Sequence, residues 1–265
     1  MQGTLMPIGG AEDKRGACTI LNHFVQCSGS SSAHLVVIPS ASSFPQEVAQ
    51  DYTRIFTALG AQQVSILHIP DRRYADHAAN LGVLNEATGI FLSGGDQLRL
   101  MSLIGGTRLA EALRSRFWNG VNIAGTSAGA SIMSRQMIGF GRSGDTPSQR
   151  MVQMALGLGL TDNLIIDQHF RQRRRLGRLM TAVALNPGLT GVGVDENTAL
   201  EIHPDGAWQV IGAGGVTIVD SSGLEYSDIY AAKRHDPLTL RGMEVRVLLG
   251  GEQVMSLPSP SLRSA

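Results

Sequence analysis

A chain of 265 residues, 43% hydrophobic and 17% charged, is long enough to bury a large core in one or two globular domains, and its composition excludes a disordered or fibrous protein. Its 22 basic residues balance 22 acidic ones, so no global field draws it to nucleic acid or an anionic membrane. The two cysteines, Cys18 and Cys27, are too few for a disulfide framework and read as free thiols in a reducing compartment.

Leu5-Met6-Pro7-Ile8 reads as a short apolar strand closed by Gly9-Gly10. No basic n-region precedes it, and the apolar stretch is too short for a signal h-region. No run approaches the length of a transmembrane helix, so a cytoplasmic location is expected. Ser28 to Ser32 is a loop and His34 to Ile38 a buried strand. Val48, Tyr52, Ile55, Phe56 and Leu59 mark one face of a helix over 45–59. Val64 to Ile69 is the next strand, and 74–86 reads as helical. Gly89 to Leu92 is a strand ended by the turn Ser93-Gly94-Gly95-Asp96. Leu98 to Phe117 is helical with a break at Gly105-Gly106, and Val121 to Ala124 is again a strand.

Alternating apolar strands and amphipathic helices imply an α/β fold: a mostly parallel, doubly wound sheet with its functional loops at the strand C-termini. After Val194 the pattern turns to alternating apolar and polar residues, at Thr198 to Ile202, Trp208 to Ile211, Val216 to Val219 and Met243 to Leu249. These read as added antiparallel strands. The expected organisation is one domain over 1–265, with a parallel core at 1–190, further strands at 191–257 and a frayed tail at 258–265.

Gly125-Thr126-Ser127-Ala128-Gly129 fits G-x-S-x-G between a strand and a helix expected to start within 130–137. A strand that turns sharply into a helix holds its central residue in a strained conformation and needs neighbours without bulk. Ser127 is thus the candidate nucleophile, and the Ala128 N–H one half of an oxyanion hole. A serine needs a base, and the base an orienting acid. His169 ends a β-like run ahead of an Arg-rich segment read as a helix. Asp195 and Glu196 follow the apolar run Val192-Gly193-Val194. A rival order places Asp195 or Glu196 before His203 as base, although His203-Pro204-Asp205-Gly206 looks like a hairpin turn, a poor place for one.

Five segments, Ile8-Gly9-Gly10-Ala11-Glu12-Asp13-Lys14, Gly94-Gly95-Asp96-Gln97, Gly125 to Ala130, Asp167-Gln168-His169-Phe170 and Gly191 to Ala199, occur in the order found in cyanophycinases, which the chain resembles. That serine peptidase family also contains the α-aspartyl dipeptidases. The resemblance runs from the first strand to beyond Glu201 and fades after about Ser221. It implies a class I glutamine amidotransferase-like fold, a homodimer, and a triad of Ser127 as nucleophile, His169 as base and Glu196 as orienting acid. It places the oxyanion hole at Gly95, Asp96 and Ala128. The implied substrate is cyanophycin, a polyaspartate with arginine on each β-carboxyl, cleaved to β-Asp-Arg dipeptides. The implied pocket is Gln97, Asp167, Gln168, Arg173, Arg175 and Arg178. Arginines clamp carboxylates bidentately, and Asp167 would accept from a guanidinium.

Arg171, Arg174, Arg175 and Arg178 would share one helical face, which can also be read as a solvated surface. Arg171 and Arg174 lie outside the resemblance. The sequence has no HExxH, CxxC pair or Walker loop, so no cofactor or metal is expected, and one basic cluster in a neutral chain does not predict nucleic-acid binding. Besides cyanophycin cleavage, the readings to separate are a peptidase for short aspartyl peptides, a non-catalytic binder of acidic ligands, and an esterase using His203.

Overall fold

The computed structural model describes residues 1–255. The frayed tail expected at 258–265 lies outside the described residues. In chain order the first half contains β1 (Leu5–Ile8), α1 (Thr19–Cys27), β2 (His34–Ile38), α2 (Pro45–Ala58), β3 (Gln63–Ile66), α3 (Ala78–Val83), β4 (Gly89–Leu92), α4 (Gln97–Ile104), α5 (Arg108–Trp118), β5 (Asn122–Thr126) and α6 (Ala128–Ser131). The second half contains β6 (Gln136–Gly141), β7 (Val152–Leu156), β8 (Leu164–Asp167), α7 (Leu176–Leu185), β9 (Thr190–Val194), β10 (Thr198–Ile202), β11 (Ala207–Gly212), β12 (Gly215–Asp220), β13 (Tyr226–Ser227), β14 (Leu240–Arg241), β15 (Glu244–Leu249) and β16 (Gln253–Met255).

The main sheet runs β16-β11-β10-β1-β5-β4-β2-β3. The five strands from β1 to β3 are parallel, while β10, β11 and β16 extend the sheet antiparallel. Strand periodicity divides the core between two faces. Leu35, Val37 and Phe91 point to one face, under α1 and α2, with Phe24, Tyr52 and Phe56. The rings there lie 4.5–6.0 Å apart between centroids. Burying each such side chain stabilises the fold by about 1.5–3 kcal/mol. Val36, Ile38, Ile90 and Leu92 point to the other face, against α4, α5 and α6.

A second sheet, β15-β12-β9-β8, packs on that same face. Its Ile166, Val192, Val216 and Ile218 join Leu200 and Val210 of the main sheet in one buried cluster. Its other side, with Ile165 and Val219, is closed by Leu179 and Val183 of α7. The α/β class, the parallel core and the added antiparallel strands are as the sequence predicts. The second sheet is a refinement, because β8 and β9 pair in parallel with each other and not with the core strands.

Three helix expectations are corrected. Residues 74–86 hold a 3-10 turn, Arg72–Asp76, and then α3, because His77 is extended (φ −68°, ψ 131°) and breaks the helix. The helix after the elbow stops at Ser131, since Ser134 Oγ accepts the Ile166 N–H at 3.1 Å and turns the chain toward β6. Arg171 to Arg175 form a turn and not a helix: His169 and Arg174 have φ of 46° and 51°, and α7 begins only at Leu176.

Candidate active site

The C-terminal ends of β1, β4, β5, β8 and β9 converge on Ser127. Strand β5 ends at Thr126, and Ser127 takes φ 52°, ψ −111° before α6 begins. An L-residue rarely adopts this conformation, and such strain clusters at functional sites. Close packing enforces it. A Cβ on Gly125 would stand 2.5 Å from the Gly129 carbonyl oxygen, and one on Gly129 would stand 2.2 Å from that of Leu92. The Ser127 N–H donates to the Ile8 carbonyl of β1 at 2.9 Å. Beneath the turn, the buried Glu12 carboxylate accepts from Thr126 Oγ1 at 2.5 Å and from the Tyr52 hydroxyl.

Gly9-Gly10 is the junction that brings the other groups in. The Gly9 carbonyl accepts the His169 N–H at 2.7 Å, and the Gly10 carbonyl accepts the Asn197 N–H at 2.8 Å. Gly10 has φ 96°, and a Cβ there would fall 2.4 Å from His169 Cε1. Both loops are thereby drawn over one turn, and the His169 ring fills the space Gly10 leaves. Ser127 Oγ lies 3.0 Å from His169 Nε2, and His169 Nδ1 lies 2.6 Å from Glu196 Oε1. This is hydroxyl, imidazole and carboxylate in line. Burial, the largest cause, pushes the His169 pKa below its ordinary value. The Glu196 hydrogen bond opposes that shift, and the charges of Arg173 and Arg175 reinforce it. The imidazole is therefore neutral at neutral pH and able to accept a proton.

The alternatives left open by the sequence separate here. Asp195 faces away from the imidazole: its Oδ1 accepts the Arg171 N–H at 3.0 Å, and its Oδ2 accepts the Arg171 Nε–H and the Gly215 N–H, both at 3.2 Å. His203 sits at the opposite end of the main sheet. Ile202 is paired with Leu5, the first residue of β1, whereas Ser127 follows Thr126, paired with Ile8 at the last. His203 Nε2 lies 3.3 Å from Glu201 Oε2 instead.

Of the three expected oxyanion donors, Asp96 is corrected: its N–H is taken by the Ala41 carbonyl at 3.0 Å, and its side chain caps α4. The Gly95 and Ala128 N–H groups have no acceptor among the described residues. Gly95 has φ 145°, and a Cβ there would meet the Ala41 oxygen at 2.1 Å, so the tight turn requires glycine.

The expected pocket residues divide into two groups. Asp167 and Arg178 are buried and bound to each other through two contacts, Arg178 Nε to Asp167 Oδ2 at 2.6 Å and Arg178 NH2 to Oδ1. Asp167 also accepts from Arg175 at 3.4 Å, so its carboxylate is engaged internally and does not stand open to a substrate guanidinium. Arg175, lowered to about 10 chiefly by burial with Asp167 opposing, donates to Gln168 Oε1 at 3.0 Å. Gln168 Oε1 in turn lies 3.4 Å from Ser127 Oγ. Gln97 is tied through Nε2 to the carbonyls of Ile138 and Gly139 at 3.2 and 3.0 Å. Arg173 is exposed, and its guanidinium has no hydrogen-bond partner among the described residues. Arg171 pairs with Asp195 and Arg174 with Asp145. Sequence reasoning missed Glu12 and Tyr52 under the elbow. It also missed the Asn197 side chain, which accepts the Asp13 N–H at 2.9 Å and ties the β1 loop to the β9 loop.

The profile of Peptidase family S51 matches residues 5–210. The chain belongs to that family. A cyanophycinase of Trichormus variabilis is 42% identical over 250 residues, 94% of this chain and 84% of that protein. One from Synechococcus elongatus is 40% identical, covering 95% of this chain and 78% of its own length. One from Geminocystis herdmanii is 38% identical, covering 96% and 93%. Among solved structures, a peptidase from an acI-B1 Actinobacterium aligns with a TM-score of 0.66 at 22% identity, covering 96% of this chain and 97% of that one. A putative peptidase E from Listeria monocytogenes EGD-e aligns at 0.52 and 16%, covering 80% and 98%. The S51 peptidase is thus a hydrolase with the amidotransferase-like α/β fold. None of its described helices is long and apolar enough to cross a membrane.

Proposed function

We propose that this S51 peptidase degrades cyanophycin, cutting the polyaspartate backbone from a chain end and releasing β-Asp-Arg dipeptides through an acyl-enzyme on Ser127. The observation that carries the reading is the aligned chain Ser127–His169–Glu196, at 3.0 and 2.6 Å, in a protein about 40% identical to cyanophycinases over nearly its whole length.

In the reaction, Ser127 Oγ attacks the backbone carbonyl carbon while His169 Nε2 takes its proton. Glu196 holds the Nδ1–H tautomer and stabilises the imidazolium. The carbonyl oxygen becomes an oxyanion facing the Gly95 and Ala128 N–H groups. Collapse breaks the C–N bond, and His169 passes its proton to the departing amine. Water then attacks the ester, giving a proton to His169. Cleavage of that ester returns the proton to Ser127 Oγ.

Arg173 is exposed beside the base with no internal partner among the described residues, and it serves as the clamp for a substrate carboxylate. Arg175 acts through Gln168, and the Asp167–Arg178 pair anchors the turn that carries His169. A single domain, a cytoplasmic location and a homodimer belong to the same reading. Val245, Val247 and Leu249 lie exposed along the edge strand β15, where a second copy would cover them. The test is incubation with insoluble cyanophycin and mass analysis of the soluble products. A β-Asp-Arg product supports the reading. Intact polymer alongside hydrolysis of short aspartyl peptides would replace it with the dipeptidase alternative.

A further inference from the structure

At the end of the main sheet opposite Ser127, α1 and β10 bring together groups that the peptidase chemistry does not use. His23 and Cys27 are four residues apart on α1, one turn above one another on the same face. Glu201 lies on β10 with its side chain on the α1 side of the sheet, two positions after Ala199, which packs into the cluster under α1. Strand alternation reserves that position for an apolar side chain, yet it holds a carboxylate that is 1% exposed. A buried carboxylate is costly unless compensated. Among the described residues, no lysine or arginine pairs with Glu201. It is met by His23, Cys27 and His203.

We propose that His23, Cys27 and Glu201 form a binding site for one divalent transition-metal ion of the zinc type, pinning α1 to β10. The three donor atoms converge within 4.8 Å of one another. His23 Nε2 is 3.0 Å from Glu201 Oε2, Cys27 Sγ is 3.3 Å from His23 Nε2, and Cys27 Sγ is 3.5 Å from Glu201 Oε1. Bonds of about 2.0–2.3 Å at tetrahedral angles put ligand atoms roughly 3.3–3.6 Å apart, so an ion fits between these donors after shifts of a few tenths of an ångström. Imidazole, thiolate and carboxylate together suit zinc, and exclude magnesium and calcium, which take oxygen ligands. The cluster reaches the surface through Cys27 and a His23 side chain that is 29% exposed, giving an ion a path inward. The fourth position falls to water or to His203, whose Nε2 lies 3.3 Å from Glu201 Oε2. The site is independent of the peptidase reading, since its residues touch none of the triad.

The test uses the full chain, stripped with a chelator and titrated with cobalt(II) and then zinc(II). The expected result is one equivalent of cobalt with the near-ultraviolet thiolate-to-cobalt charge-transfer band and intense tetrahedral visible bands, displaced by one equivalent of zinc. Zinc at a hundredfold excess over its Kd should raise the thermal midpoint by roughly 5–10 °C. Cys27→Ser, a change at an exposed position, should abolish the thiolate band and weaken zinc binding at least about tenfold. Cys18→Ser and Ser127→Ala should keep the band. No thiolate band at saturating cobalt would overturn the proposal, as would a band unchanged in Cys27→Ser. Glu201→Gln adds a second readout where it folds, with loss of affinity expected.

Discussion

Replacing Glu196 by glutamine isolates the part of the proposed triad that touches neither substrate nor the attacking oxygen. Glu196 Oε1 holds His169 Nδ1 at 2.6 Å, and its backbone N–H donates to Gln172 Oε1 at 3.1 Å, so the side chain of the variant starts from the same anchored position. A glutamine amide presented to Nδ1 donates where the carboxylate accepts. The ring proton then moves to Nε2, the atom 3.0 Å from Ser127 Oγ, and the imidazole can no longer take the serine proton. With the amide turned the other way, the tautomer survives but the imidazolium loses its countercharge. The equivalent change in a well-studied serine protease costs about 10⁴ in kcat. Allowing for a partly exposed carboxylate, a fall of about 10³–10⁴ in kcat/KM is expected here, or about 4–5.5 kcal/mol of transition-state stabilisation. The assay is the initial rate of dipeptide release from cyanophycin, with circular dichroism as the check on folding. The loss should fall on kcat, with KM little changed. A folded Glu196→Gln variant within tenfold of the parent would refute the orienting role.

Other consequences follow from the same geometry. Because burial lowers the His169 pKa, kcat/KM should hold as pH falls through 6.5 and decline only below it, when the base becomes protonated. Arg173→Ala removes one of the charges that lowers this pKa, so the acid limb of the pH–rate profile should move to higher pH while KM for the polymer rises. Asp167→Ala leaves the buried Arg178 unpaired and should destabilise the protein by about 3–5 kcal/mol in a denaturant titration, whereas a simple substrate contact would leave stability unchanged. Gly10→Ala places a methyl 2.4 Å from the His169 ring and also strains a φ of 96°, so activity should fall at least about a hundredfold. Normal turnover in that variant would show that the ring need not sit where it does.

Much of the site could be read in the sequence because its requirements are local. The glycines of 125–129 report a turn that admits no Cβ, and the structure places Gly129 against the Leu92 carbonyl. The segments carrying His169 and Glu196 end apolar strands, which is where a parallel sheet exposes its side chains. What was not legible depends on tertiary hydrogen bonds. The arginines at 171–178 have helical spacing, but His169 must turn back to donate its N–H to Gly9, and its positive φ starts a turn in place of a helix. Asp96 looks like an oxyanion donor until Ala41, more than fifty residues earlier, takes its N–H. Asp167 looks open to substrate until Arg178 folds onto it. Glu12 reads as a polar loop residue, and only the proximity of Thr126 and Tyr52 shows it supporting the elbow. The second sheet escaped notice because strand periodicity identifies strands and not the neighbours they choose.

The central claim is that Ser127 carries the acyl group. It is tested most directly by mixing the protein with cyanophycin, quenching in acid within the first turnover and locating any adduct by peptide mass mapping. The expected result is a β-Asp-Arg-derived acyl mass on the peptide containing Ser127, absent in Ser127→Ala and strongly reduced in His169→Ala. Soluble β-Asp-Arg released at parental rates by Ser127→Ala, with no adduct on the parent, would contradict it.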